Sequence, residues 1–230
     1  MATTAEDDLS VLGHAAVAYV EDGMRVGLGT GRAATAFVRA LAARFAGRAD
    51  RLSCVATSEA TATLAASLGL PLVSLADAGE LDLTVDGADE VDPRLDLIKG
   101  LGGALVREKI VAASSRRLVI VVGAEKLVSR LGLVAPVPVE VLAFAMPLCR
   151  RRLAALGAEP ILRSAGSVSY QSDNGNPIYD CAFRGIEDAA ALDRAIREIP
   201  GVVGTGLFVG MAERVLVQDG RRVDVRRRSA

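Results

Sequence analysis

The sequence predicts an α/β protein built on a parallel sheet, followed by a smaller α+β unit. Three observations carry this. Short β-branched runs alternate with longer Ala- and Leu-rich stretches through the first 123 residues. Those runs are continuously apolar rather than alternating, as in strands covered on both faces. Beyond Pro136 and Pro138 the pattern changes to shorter strands, a turn signal and two helical stretches.

The elements follow in order. Leu9–Tyr19 reads as a helix, and Met24–Gly29 as a short buried strand ending in glycine. Ala33–Phe45 has helical spacing, and Leu52–Thr57 is a strand. Glu59–Leu68 is a helix stopped by Gly69 near a C-cap position. Leu70–Leu75 (LPLVSL) reads as another strand, and Leu81–Asp86 as one that runs straight into polar residues. Ala104–Ser114 is a helix, and Arg117–Gly123 (RLVIVVG) is the clearest buried strand of the chain. Val137–Ala145 reads as a strand, followed by a helix over Met146–Leu156 with Pro147 at its start, where a missing N–H does no harm. Strands over 158–163 and 177–183, a helix over Asp188–Glu198 and a strand over Val202–Phe208 complete the small unit. Ser172–Pro177 (SDNGNP) is a hairpin signal, and Asp219-Gly220 marks a second turn between alternating runs. The expected division is 1–134 with 208–230 as one domain and 135–207 as the other.

Composition narrows the function. Half of the 230 residues (51%) are apolar and 24% are charged, which excludes disorder. A net charge of −1 and 3% aromatic residues speak against a nucleic-acid partner. No apolar run reaches the roughly 18 residues of a membrane span. The N-terminal MATTAEDDLS is acidic and lacks a signal-peptide pattern, so a cytoplasmic protein is expected. Cys54, Cys149 and Cys181 share no metal-ligand spacing and read as buried inert thiols, so neither a zinc site nor a disulfide framework is expected. The last ten residues carry net +4, which reads as a solvated, frayed tail or, less naturally, an anion-binding one.

Four stretches could carry chemistry. VGLGTGR (26–32) places glycines between a strand and a helix, where backbone amides turn toward an anion. It is no dinucleotide fingerprint, because Arg32 stands where the third glycine belongs, and no Walker A loop. It reads as a phosphate clamp with Thr30 and Arg32 assisting, or as a turn merely eased by glycine. TVDGADEVD (84–92) crowds Asp86, Asp89, Glu90 and Asp92 at a strand's carboxyl end, the ligand-bearing edge of an open α/β sheet. The plainer alternative is an acidic turn satisfied by Asx-type bonds; the spacing does not fit an EF-hand. In LIKGLGGALVREK (97–109), Lys99 precedes a glycine-rich turn and Glu108 lies on the next helix, as a base or as an exposed partner of Arg107 and Lys109. Lys126, just past the best strand, is either a site residue or an ordinary surface lysine. Only three of the 27 basic residues are lysine, all between 99 and 126, which reads either as a composition bias toward Arg or as a sign that at least one position needs a compact ammonium. Together the stretches suit a small phosphorylated, polyhydroxylated substrate. The single histidine, His14, lies outside them, so acyl transfer through a triad is not expected.

These residues resemble the ribose-5-phosphate isomerases of the A type nearly end to end. The likeness runs through GLGTG (27–31), TSEATATLAASLGLPL (57–72), DLTVDGADEVD (82–92), KGLGGALVREKIVA (99–112), PVPVEV (136–141), DNGN (173–176) and IPGVVGTGLF (199–208). It implies a Rossmann-like parallel-sheet domain with a smaller ferredoxin-like α+β domain inserted near the C-terminus. It also implies a homodimer or dimer of dimers and a cofactor-free, metal-free interconversion of D-ribose 5-phosphate and D-ribulose 5-phosphate. By the same resemblance Glu108 is the general base, while Asp86, Asp89 and Lys99 hold the sugar and assist at its oxygens. Thr30, Gly31, Arg32 and Ala33, then Gly87 and Ala88, Gly100, Leu101 and Gly102, and Lys126 are implied binding positions. Arg32 and Ala33 replace two hydroxyl residues of the family's Gly-Thr-Gly-Ser-Thr loop, and Leu101 replaces a frequent glycine. Rival readings are a sugar-phosphate sensor of the same fold, an amino-sugar phosphate deaminase or CoA transferase, and a dehydrogenase; the broken fingerprint weakens the last.

Overall fold

The structure, a computed structural model, describes residues 9–166 and 168–228. The acidic stretch up to Asp8 and the last two residues of the Arg-rich tail lie outside them. The chain divides into two compact units. The first comprises the residues up to Gly87, Arg107–Glu125 and those from Met211 on; the second comprises Ala88–Val106 and Lys126–Gly210.

In the first unit, six strands form one sheet: β1 (Arg25–Leu28), β2 (Ser53–Ala56), β3 (Leu83–Asp86), β6 (Leu118–Gly123), β14 (Arg214–Asp219) and β15 (Arg222–Arg227). The order is β15-β14-β6-β3-β1-β2. All neighbours are parallel except β14 and β15, which form the hairpin turned at Asp219-Gly220. The five parallel strands run in the 2-1-3-4-5 order of a doubly wound sheet. Helices α1 (Ser10–Val17), α2 (Arg32–Arg44), α3 (Glu59–Ser67) and α4 (Leu75–Ala78) belong to this unit, and α5 (Leu105–Ala113) enters it at Arg107. Leu12, Val26, Leu28, Phe37, Val85 and Leu216 are among the residues that form its core.

The second unit holds a four-stranded antiparallel sheet in the order β12-β7-β11-β8. Its strands are β7 (Val137–Val141), β8 (Glu159–Leu162), β11 (Ile178–Ala182) and β12 (Val202–Thr205), with helices α6 (Met146–Ala155) and α7 (Ala189–Arg197). The succession β-α-β-β-α-β is ferredoxin-like. Pro147 opens α6, and the Asp188 side chain accepts from the Ala191 N–H to cap α7. Three two-residue strands, β4 (Glu90–Val91), β5 (Leu97–Ile98) and β13 (Leu207–Phe208), pair antiparallel in the same unit. Two further short strands, β9 (Ser164–Ala165) and β10 (Val168–Ser169), pair with each other.

The structure corrects several expectations. LPLVSL is no strand: it makes one parallel bridge, Cys54 to Leu72, and then Ser74 caps α4 by accepting from the Asp77 N–H. The strand begun at Val137 ends at Val141, and residues 143–145 turn into a 3-10 helix. VVGTGLF is divided between β12 and β13. SDNGNP does turn the chain, with the Ser172 N–H donating to the Asn176 carbonyl beside a bridge between Gln171 and Pro177, but the strand that follows, β11, takes β7 and β8 as its partners. The Arg-rich tail is an edge strand from Arg222 to Arg227 rather than a frayed end. The compact units also divide the chain differently from 1–134/208–230 and 135–207: β5 pairs with both β4 and β13, and Glu90 binds the backbone at 132–135.

All three cysteines are buried and unpaired with one another. Burial pushes the Cys54 thiol up to about 12, and burial with Asp180 nearby does the same to Cys181. Cys149 is raised in the same direction by burial. The thiolate is the reactive form, so a disulfide reagent at about pH 8 is expected to label none of them in the native protein. All three should react once guanidinium is added; labelling before unfolding would contradict the packing described.

Candidate active site

Each unit carries a set of the motif residues. In the first, the loop after β1 and the loop after β3 lie at adjacent parallel strand ends, where the strand order reverses. That is the topological switch point at which doubly wound sheets bind ligands. The Asp86 carboxylate is fully buried there. Its Oδ1 accepts from the Thr30 N–H at 3.0 Å and the Gly87 N–H at 2.7 Å. Gly29 makes this approach feasible: a Cβ on it would stand 2.2 Å from that same Oδ1.

The Thr30 hydroxyl lies 2.7 Å from Thr57 Oγ1, 2.8 Å from Ser58 Oγ and 3.2 Å from Thr61 Oγ1. Thr57 and Thr61 in turn donate to the carbonyls of Leu28 and Gly29, both at 3.0 Å. The hydroxyls at the end of β2 and the start of α3 therefore fix the β1–α2 turn. Thr57, Ser58 and Thr61 were not singled out from the sequence. The available signal was Ser58, an N-cap residue whose side chain accepts from the Thr61 N–H.

Gly31, at φ 102°, caps α2, and Arg32 and Ala33 form its first turn. Arg32 is exposed and lines a groove of about 690 Å³ shared with Thr35, Arg39 and His14. The Ala33 methyl packs against the apolar core, which leaves its backbone as the part able to meet a ligand. Glu108, in the first turn of α5, is only 4% exposed. That burial sets aside the reading of Glu108 as an exposed helix-face partner of its neighbours. His14 is exposed, and its Nδ1 lies 2.7 Å from the Ser10 carbonyl of the same helix.

In the second unit, Ala88 and Asp89 are half-buried. The Asp89 N–H donates to the Ile98 carbonyl, and its Oδ2 accepts from the Leu101 N–H at 3.0 Å. Lys99 is 2% exposed; its N–H donates to the Gly206 carbonyl, and its Nζ stands 5.4 Å from the centre of the Phe208 ring. A buried lysine held against an aromatic face is an ordered ammonium, not a solvated surface charge. Gly100 and Gly103 take φ values of 102° and 87°, conformations that side chains resist, and the Gly103 N–H closes the turn on the Gly100 carbonyl. Leu101 and Gly102 form its exposed tip. Lys126 is half-buried at the end of a 3-10 turn, Ala124–Lys126.

The acidic stretch is thus divided by role. Glu90 is buried, and its carboxylate accepts from the backbone N–H groups of Gly132, Val134 and Ala135 at 2.6–2.7 Å. Asp92 accepts from the Arg94 and Asp96 N–H groups in the Asx manner. Both are structural. Among the described residues no group of His, Cys, Asp and Glu is placed to hold a metal ion, and no helix is long and apolar enough to cross a membrane.

Known proteins match this arrangement over nearly its whole length. The sequence model of the family described as ribose 5-phosphate isomerase A (phosphoriboisomerase A) matches residues 53–221. A ribose-5-phosphate isomerase A from Roseiflexus castenholzii is 56% identical over 204 residues, covering 88% of this chain and 87% of that one. The structure of ribose 5-phosphate isomerase A from Methanocaldococcus jannaschii superposes with a TM-score of 0.91 at 38% identity, over 97% of this chain and 100% of the other. A D-ribose-5-phosphate isomerase in complex with phospho-erythronic acid gives 0.93 at 33% identity, over 98% and 100%. Likeness of this extent, in a chain whose Asp86, Lys99 and Glu108 are all buried, leaves one assignment: the chain belongs to the ribose 5-phosphate isomerase A family.

Proposed function

We propose that this chain interconverts D-ribose 5-phosphate and D-ribulose 5-phosphate through an enediolate, a step of the non-oxidative pentose phosphate pathway. The observation that carries the reading is the burial of opposite charges at the two ends of one run. Lys99 and Glu108 are 2% and 4% exposed, and residues of these types are rarely buried without a task. The family match and the phospho-erythronic acid held by a neighbour structure support the same substrate class. They do not favour the binding-only alternative.

The steps follow from the chemistry. Asp86, fixed by two N–H donors through Oδ1, relays the hydroxyl proton that opens the furanose ring. Glu108 takes the proton from C2 of the open aldose and returns it to C1, while the C2 hydroxyl proton passes to the C1 oxygen, which leaves the carbonyl at C2. Charge that develops on the carbonyl oxygen is met by the Lys99 ammonium and by amide N–H groups of the Gly100–Gly102 turn, which Asp89 anchors. The Thr30–Ala33 turn, with Arg32, and Lys126 hold the phosphate and hydroxyls. Gly87 and Ala88 carry the chain between Asp86 and Asp89. The reaction draws on these groups alone. We place the enzyme in the cytoplasm as a homodimer or dimer of dimers, a reading supported by the fully exposed Phe144 beside the half-exposed Leu142.

Chelator-treated protein mixed with ribose 5-phosphate in D₂O tests the activity by proton NMR. Ribulose 5-phosphate is expected to appear, with deuterium at the transferred position wherever the shuttled proton exchanges with solvent. Binding without turnover would favour a sensor, and turnover confined to another sugar phosphate would overturn the substrate.

A further inference from the structure

We propose that Arg163 is a positioning residue for the isomerisation, acting through the turn that follows Lys99. The inference rests on the reading above, in which that turn meets the substrate. All of its geometry lies within the second unit. Arg163 follows β8 and its side chain is 12% exposed. Nε and Nη2 donate to Asp180 Oδ2 and Oδ1 at 2.9 and 2.5 Å, a bidentate pair that fixes the guanidinium plane. The remaining nitrogen, Nη1, donates to the carbonyls of Gly100 at 3.0 Å and Leu101 at 3.1 Å. Tyr170 covers the group, its ring centre 5.6 Å from Cζ, and its hydroxyl lies so close over Gly103 that a Cβ there would stand 1.9 Å away.

The consequence is one of direction. In a trans peptide the C=O and N–H point opposite ways. Drawing the carbonyls of residues 100 and 101 toward Arg163 turns the N–H groups of Leu101 and Gly102 away from it. The Leu101 N–H meets Asp89 Oδ2, and Gly102 lies at the exposed tip. The guanidinium therefore gathers two carbonyl dipoles on its own side, and the turn presents donors, not acceptors, to an anionic substrate. Without Arg163 the Gly100–Leu101 peptide keeps only the Gly103 N–H and Asp89, and the Leu101 carbonyl loses the guanidinium; that carbonyl turned toward the enediolate would oppose it. Lysine cannot replace the fork, since one ammonium cannot hold both the carboxylate plane and the two carbonyls in this geometry.

The test uses the full-length protein and the variants Arg163→Met, Arg163→Lys and Asp180→Asn, each checked for folding by circular dichroism. Arg163→Met is expected to lower kcat/KM by about 10²-fold, mainly through kcat, the size that a displaced catalytic element costs. Affinity for phospho-erythronic acid, whose carboxylate stands in for the enediolate oxygens, should fall with kcat/KM and not with KM. Arg163→Lys and Asp180→Asn should fall between that variant and wild type. Hydrogen exchange at the Leu101 N–H should speed up in all three. A folded Arg163→Met with kcat within about threefold of wild type overturns the proposal. So does a loss explained wholly by less folded protein at unchanged kcat per folded molecule. Should Arg163→Met fail to fold, normal kcat in Arg163→Lys is the overturning result. An inactive wild type would instead overturn the isomerase reading and the catalytic role with it, while the exchange data still report on the brace.

Discussion

Replacing Glu108 with Gln is expected to lower kcat for ribose 5-phosphate by about 10²- to 10⁴-fold, with KM changed little. The amide keeps the size and hydrogen-bonding reach of the carboxylate but cannot accept the C2 proton. In the proposed mechanism Lys99 and the Thr30 turn bind substrate and are left unaltered, so the loss falls on the chemical step. Proton NMR in D₂O checks this directly, since both ribulose 5-phosphate formation and any deuterium incorporation should slow together. A variant that still incorporates deuterium at the wild-type rate would move the role of base to another group.

The second large effect is on stability. Replacing Glu90 with Ala is expected to destabilise the protein by about 2–5 kcal/mol, since each buried backbone donor left without an acceptor costs about 1–3 kcal/mol. Three backbone N–H groups, from Gly132, Val134 and Ala135, converge on that carboxylate at 2.6–2.7 Å. Without it the buried Gly132 and Ala135 N–H groups lose their acceptor, whereas Val134 stands at the surface, and each unsatisfied buried donor costs free energy. Urea unfolding should show a lower midpoint at unchanged slope, with near-normal kcat in the protein that remains folded. A change below about 1 kcal/mol would mean that water or a rearranged loop satisfies the donors. Glu90 and Asp86 come from one acidic stretch, yet Glu90 meets the backbone at 132–135 and Asp86 the N–H groups of Thr30 and Gly87.

That difference marks the limit of the sequence. The buried run Leu118–Gly123 and the Asp219-Gly220 hairpin were legible because each is decided locally, by apolar continuity and by turn chemistry. LPLVSL was not, because its β-branched look outweighed a short capping signal: Ser74 and Asp77 stand three apart, and they start a helix. The strands β4, β5 and β13 are two residues each, too short to show a period. The candidate site divides in the same way. Glycine turns, strand-end aspartates and the Lys99–Glu108 run announce themselves by residue type and spacing. The roles of Glu90, Thr57 and Arg163 depend on partners 17 to 63 positions away, which no local pattern records.

The division of the chain into two units also bears on its synthesis. The unit begun first is completed last, since its sheet needs β14 between β6 and β15, and its core needs Leu216. The second unit has all of its residues once Gly210 has left the ribosome. The usual order, in which the N-terminal part folds first, is therefore reversed here. Until the final strands emerge, β6 presents an open parallel edge, and the nascent chain is most prone to mispairing in the last moments of translation.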